Sequence, residues 1–244
     1  MLKYLFGNSD LSALTAFVTP NFFSVLRLGD SARIGARLYA NHMDSSAWVA
    51  ARQSATSWLD GKVRICQDGD SFTPATLGIA EGEALLELFF LQILRGRIWI
   101  LDFRADRWGY EAEERLAWKP APYFYEPSPD FRNGVVDLYS GFYQDDRERF
   151  QGALQRLGLE AAEVELRKHF GLGGQRQVQF RLADFQRTFA GVFSACERAG
   201  SRIDAEFGVL GLMLLTLYSA LDPIGAPLNA RRAFERAWRR VPAA

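Results

Sequence analysis

Residues 81–103 read Glu81-Gly-Glu-Ala-Leu-Leu-Glu-Leu-Phe-Phe-Leu-Gln-Ile-Leu-Arg95, followed at once by Gly96-Arg-Ile-Trp-Ile-Leu-Asp-Phe103. The first part opens with an acidic turn, which suits the positive end of a helix dipole. It then presents Leu85, Leu86, Leu88, Phe89, Leu91, Gln92 and Ile93 around nearly its whole circumference. A helix with that surface has to sit in the middle of a core. Gly96 stops it, and 97–103 reads as a short buried strand bounded by the charged cluster Arg104-Ala-Asp-Arg107. A buried helix handing over to a buried strand sets the expected class: mainly α, of the α+β kind, a helical domain with a small β element.

Upstream, Ser9 or Asp10 caps a short helix that ends before Pro20. A second helical region spans 30–59, with Ile34, Leu38, Trp48, Val49 and Trp58 as an intermittent apolar face. Residues 61–66 alternate with period two, Asp68-Gly69 is a tight-turn signal, and 71–73 resume extended character before Pro74. The pattern predicts a β-hairpin at 62–73, which with 97–103 makes up the β element. Downstream, 109–130 carries Pro120, Pro122, Pro127 and Pro129 with the run Tyr123-Phe124-Tyr125, a composition that cannot continue a helix and reads as a loop or linker. The pattern then turns helical: 131–157 closed by Gly158, 160–170 closed by Gly171, 180–199 with a stripe of Phe185, Phe189, Val192, Phe193 and Cys196, then 204–221 and 229–241. The expected organisation is an N-terminal helical region at 1–108 with the β element, a connecting segment at 109–130 and a C-terminal helical region at 131–244, or one compact domain embracing all three.

Length and composition narrow the function. The 244 residues are 48% hydrophobic and 14% aromatic, enough to bury a sizeable core. Basic and acidic residues number 29 each, so the chain lacks the cationic excess of a duplex-binding protein, and no nucleic acid is expected as a partner. Cys66 and Cys196 are the only cysteines, too few for a disulfide framework or a thiolate zinc site, and the first 20 residues lack a signal-peptide h-region. Together they predict a reducing, cytoplasmic setting. The uncharged stretch 207–221 is shorter than the roughly 20 residues of a spanning helix and reads as a buried core helix.

Catalytic signatures are sparse. Only His42 and His169 exist, and Glu165 with His169 one turn on is a weak metal pair beside Arg167 and Lys168, so neither metal nor cofactor is expected. No nucleophile elbow surrounds Ser140, and Gly171-Leu-Gly-Gly174 is followed by Gln-Arg rather than by a helix start. Two clusters stand out. Asp102, Arg104, Asp106 and Arg107 at the end of the buried strand, with Tyr123 or Tyr125 from the following loop, suit an anion or ligand site, an ion-pair network, or a dispersed carboxylate and arginine active site. Arg231, Arg232, Arg236, Arg239 and Arg240 lie beside Phe234 and Trp238 on the last helix. That pattern fits a partner-docking or peripheral membrane helix, or one packed inward through its aromatics. The aromatic content points first to a non-enzymatic protein that binds another protein or an apolar small ligand.

Three stretches taken in order resemble the C-terminal lobe of the UbiB/AarF-type atypical kinase-like family. Gly96-Arg-Ile-Trp-Ile-Leu-Asp-Phe103 is similar to its metal-binding strand end, 139–159 (Tyr-Ser-Gly-Phe-Tyr-Gln-Asp-Asp onward) to its following helix pair, and Leu212-Met-Leu-Leu-Thr-Leu-Tyr-Ser-Ala-Leu-Asp-Pro223 to its late apolar helix. The family's lysine-glycine-glutamine signature, its nucleotide loop and its catalytic stretch are absent, and Arg104 replaces the glycine after Asp-Phe. The resemblance therefore implies a kinase-like helical lobe without a working phosphotransfer site, in which Asp102 alone keeps a metal-contacting role.

Overall fold

The computed structural model describes residues 25–241 apart from 27, 58, 60–62, 68, 112–114 and 172–176. The helix expected before Pro20 lies outside the described residues. The described chain runs α1 (Leu28–Met43), α2 (Ser45–Thr56), β1 (Val63–Ile65), β2 (Thr73–Pro74), α3 (Ile79–Arg95), β3 (Trp99–Ile100), β4 (Trp108–Tyr110), β5 (Leu116–Trp118), β6 (Phe124–Tyr125), α4 (Pro129–Tyr143), α5 (Arg147–Leu157), α6 (Glu163–Phe170), α7 (Leu182–Arg198), α8 (Phe207–Leu221) and α9 (Ala230–Arg239), with single 3₁₀ turns at 105–107, 160–162 and 222–224. It is mainly α with a small mixed sheet.

Each helix boundary has a local cause. Asp44 breaks the predicted 30–59 helix in two, because its carboxylate accepts from the N–H groups of Ser46 and Ala47 and so starts α2. Asp145, at φ 60°, and the Asp146 N-cap divide 131–157 into the hairpin α4–α5. Gly158, at φ 70°, ends α5 with its N–H returned to Leu154, and an added Cβ there would meet the Arg202 carbonyl at 2.0 Å. That close approach fixes segment 202–206 against the end of α5, where Asp204 N–H also donates to Leu157 O (3.2 Å).

The predicted hairpin at 62–73 does not form. A turn does occur at Gly69 (φ 96°), yet β1 pairs in parallel with β5 and β2 pairs antiparallel with β4, giving the order β1-β5-β4-β2. The partners come from 109–130, the stretch read as a loop or linker, which instead supplies β5, β6 and most of β4. These strands are two or three residues long; Pro120 and Pro122 stand between β5 and β6, Pro127 between β6 and α4, and Pro129 at the start of α4. The predicted strand 97–103 contracts to β3, paired antiparallel with β6. Side chains satisfy the backbone from Ile100 onward: Gln92 of α3 holds both backbone groups of Ile100, Trp118 Nε1–H donates to Asp102 O (2.9 Å), and Trp108 Nε1–H to Phe103 O (3.0 Å).

The core is one continuous cluster running from Val25 to Ala237, with α3 and α8 at its centre. The stretch Phe207–Ile224, 18 residues at a mean hydropathy of 1.6, is apolar enough for a membrane span but is 67% buried by protein. Its Thr216 hydroxyl donates to Leu101 O (2.6 Å) and accepts from Phe103 N–H (3.2 Å), tying α8 to the β3 extension. α9 lies along α3, with Phe234 edge-on to Phe90 (5.4 Å) and stacked on Tyr143 (5.0 Å).

His169 and its neighbours make a polar island in this core. Its Nε2 meets Tyr139 OH at 3.1 Å and its Nδ1 meets Tyr218 OH at 2.9 Å, so the neutral ring uses one nitrogen as donor and the other as acceptor. Burial holds the imidazole down at about pH 4, against 6.5 for a free histidine. Below the unfolded value the unfolded chain takes a proton that the native ring refuses, so this contribution to stability is intact above pH 6.5 and is lost as pH falls towards 4. The loss is expected to be about 3 kcal/mol in all. Urea midpoints from pH 7.5 to 4.5 measure it. A His169→Gln protein that keeps the wild-type slope over that window would show that other groups cause it.

Candidate functional site

Asp102 sits where β3 leaves its ladder, and its side chain is 1% exposed. Arg104 grips it with Nε at 2.7 Å and Nη2 at 3.0 Å, Ala121 N–H donates at 2.8 Å, and Arg107 Nε lies 3.3 Å away. Tyr123 shares with Asp102 and Arg104 a void of about 20 Å3, room for one water. Burial raises the Tyr123 hydroxyl above its ordinary value. The structure thus joins Asp102, Arg104, Arg107 and Tyr123. Asp106, 66% exposed, touches only the rim through Arg107, and Tyr125 belongs elsewhere. This is an ion-pair network in a closed space. It does not fit the metal-contacting role that the kinase-like resemblance implies for Asp102, because both carboxylate oxygens are filled by cationic or amide donors. Among the described residues no group of three metal-ligating side chains exists, and Glu165 binds Lys168 (2.6 Å) while His169 faces the core.

The last helix faces inward. Phe234 is 1% exposed, and Trp238 is half-buried, stacked on Phe234 and under the Arg149 guanidinium. Arg236 binds Glu87 (2.8 Å) and Glu83 (2.9 Å), Arg240 binds Glu87 (2.8 Å), and Arg231 binds Asp145. Arg232 and Arg239 remain exposed. The aromatic half of the proposed docking or membrane face is therefore built into the fold.

An open cleft of about 600 Å3 lies where the start of α1, the end of α5 and segment 202–206 converge. Tyr125 stands in its wall, with the Arg37 guanidinium 4.8 Å over its ring and its hydroxyl donating to Glu206 (2.7 Å). Burial and that carboxylate push the Tyr125 phenol up to about 12. Ser128, the N-cap of α4, donates its N–H (3.0 Å) and O–H (2.5 Å) to Glu206. Asp204 accepts from Glu206 N–H (2.8 Å), and burial, with Glu206 and Asp30 nearby, raises its carboxyl above the ordinary aspartate value.

No family model matches this chain, and no curated protein does either.

The cleft is assembled from residues spread over positions 30–206, and of its lining only Tyr125 is a candidate site residue by sequence. Arg37, Arg202 and Asp204 carry no local signature, because each looks like one more polar position on a helix or in a turn. The one signal that pointed there was Gly158, a predicted helix cap. Its lack of a side chain allows 202–206 to come alongside.

Proposed function

We propose that this protein is a cytoplasmic, non-enzymatic binding protein whose small-molecule ligand occupies the cleft between α1, α5 and segment 202–206. The observation that carries the reading is the pairing of a cavity of ligand size with charged groups that have no charged partner inside it: Arg37, Arg202 and a partly buried Asp204. The ligand class shifts from the apolar one first expected, because the aromatics that suggested it fill the core. Trp99, Trp108, Trp118 and Tyr139 are among the largest fully buried side chains. The lining offers arginine forks and hydrogen-bonded carboxylates, which grip charge. Cys66 and Cys196, free and buried, accord with a reducing compartment.

A protein partner is the second reading. It is favoured by Tyr39 and Met43, 54% and 65% exposed one turn apart on α1, with Val49 exposed on α2. Native-state mass spectrometry of the protein from its own cells separates the two. A small molecule released from the wild type and lost from the Arg37→Ala, Arg202→Ala variant is expected. A stoichiometric protein lost on Met43→Glu, with no small molecule, would replace the first reading by the second.

A further inference from the structure

Four arginines and three carboxylates line the cleft. Two of these charges cancel locally, Arg33 against Asp30 (3.2 Å), and a second arginine, Arg156, turns to Asp137 beyond the lining (2.8 Å). Arg37 and Arg202 remain, and among the described residues neither forms an ion pair. Arg37 lies instead over the Tyr125 ring. On the acidic side Glu206 is held by Tyr125 O–H and by Ser128 N–H and O–H, neutral donors that orient the carboxylate without cancelling its charge. Asp204 receives one backbone N–H, and its carboxyl is raised first by burial and then by the negative charge of Glu206 and Asp30 beside it. The uncompensated charge inside the cleft is thus two positive and two negative.

A ligand of one sign would satisfy one pair and be repelled by the other. A two-ended ligand meets both, giving its carboxylate to planar guanidinium forks and its ammonium to carboxylates whose negative charge is otherwise unrelieved. We infer that the cleft takes a small zwitterion, an amino acid or short peptide with free termini, its carboxylate on Arg37 and Arg202 and its ammonium on Asp204 and Glu206. The volume of about 600 Å3 suits a molecule of that size. This inference rests on the reading of the cleft as a ligand site and names the ligand's chemistry.

The test is saturation-transfer NMR and calorimetry on the full chain with a pool of dipeptides in four forms: free, N-acetylated, C-amidated and doubly blocked. The free pool is expected to bind, and either single block to weaken binding by about tenfold or more. In Asp204→Asn the advantage of the free pool over the acetylated one should shrink severalfold, Glu206 keeping the remainder. In Arg37→Gln, Arg202→Gln the amidated pool should bind as well as the free one. Equal binding of a singly blocked pool to the wild type overturns the inference, and this arm needs no variant to fold. A neutral or singly charged molecule recovered from the native protein and lost on cleft mutation also overturns it, while leaving the cleft a ligand site. Failure of every pool together with the absence of any recovered molecule overturns both.

Discussion

Replacing Asp102 by Ala is expected to destabilise the protein by about 3–5 kcal/mol, because it takes from the nearly buried Arg104 guanidinium the carboxylate that grips it through two nitrogens. The Arg104 side chain is 12% exposed, and its Nε and Nη2 both point at the lost carboxylate. Ala121 N–H would lose its acceptor as well. Adding Arg104→Met should recover part of the loss, since removing both members of a buried pair costs far less than removing one. Urea unfolding checks this as a fall in midpoint at unchanged slope. An Asp102→Ala protein that unfolds at the wild-type midpoint would show that the cluster is not structural and would return it to the list of reactive sites.

Trp118→Ala is expected to cost about 3–5 kcal/mol, and to loosen the small sheet before the helices. The indole stacks on Trp108 (5.4 Å, planes 6° apart), leans on Phe103 (5.2 Å) and donates to the Asp102 carbonyl. Trp118→Phe keeps most of the apolar volume and removes the donor, so about 1–3 kcal/mol of the loss should persist from the orphaned carbonyl alone. Near-ultraviolet circular dichroism, which reports the stacked indoles, together with urea midpoints for the two variants, separates packing from hydrogen bonding. Equal midpoints for Trp118→Phe and wild type would assign the effect to packing.

The helices were legible because their signals are local. The acidic start and nearly all-round apolar surface of 81–95 needed no knowledge of a partner to place it in the core. The Phe185, Phe189, Val192 and Phe193 stripe likewise chose its own buried face. Strand pairing is a relation between distant segments, and there the local reading failed. A turn does occur at Gly69, yet β1 and β2 run in the same direction within the sheet, and Val63–Ile65 finds its partner some 50 residues later at Leu116–Trp118. Strands of two or three residues are shorter than any alternation that can be recognised, which is why 109–130 read as a loop. The Asp102 cluster was found because its charges are adjacent in sequence, and the same adjacency made it an internal network. The cleft escaped notice because α1, Tyr125, the end of α5 and Asp204 meet only in three dimensions.

The clasp between α3 and α9 joins groups as much as 153 residues apart, Glu87 to Arg240, with Phe90 against Phe234 between them. On the ribosome that distance is a delay. At roughly 5–20 residues per second, Glu87 and the apolar helix around it emerge on the order of 8–30 s before the segment that covers them. Throughout that interval the nascent chain carries one of its most apolar helices without its cover, so the yield of folded protein should depend on chaperone capacity and synthesis rate, and chains cut short before Phe234 should aggregate rather than fold in part.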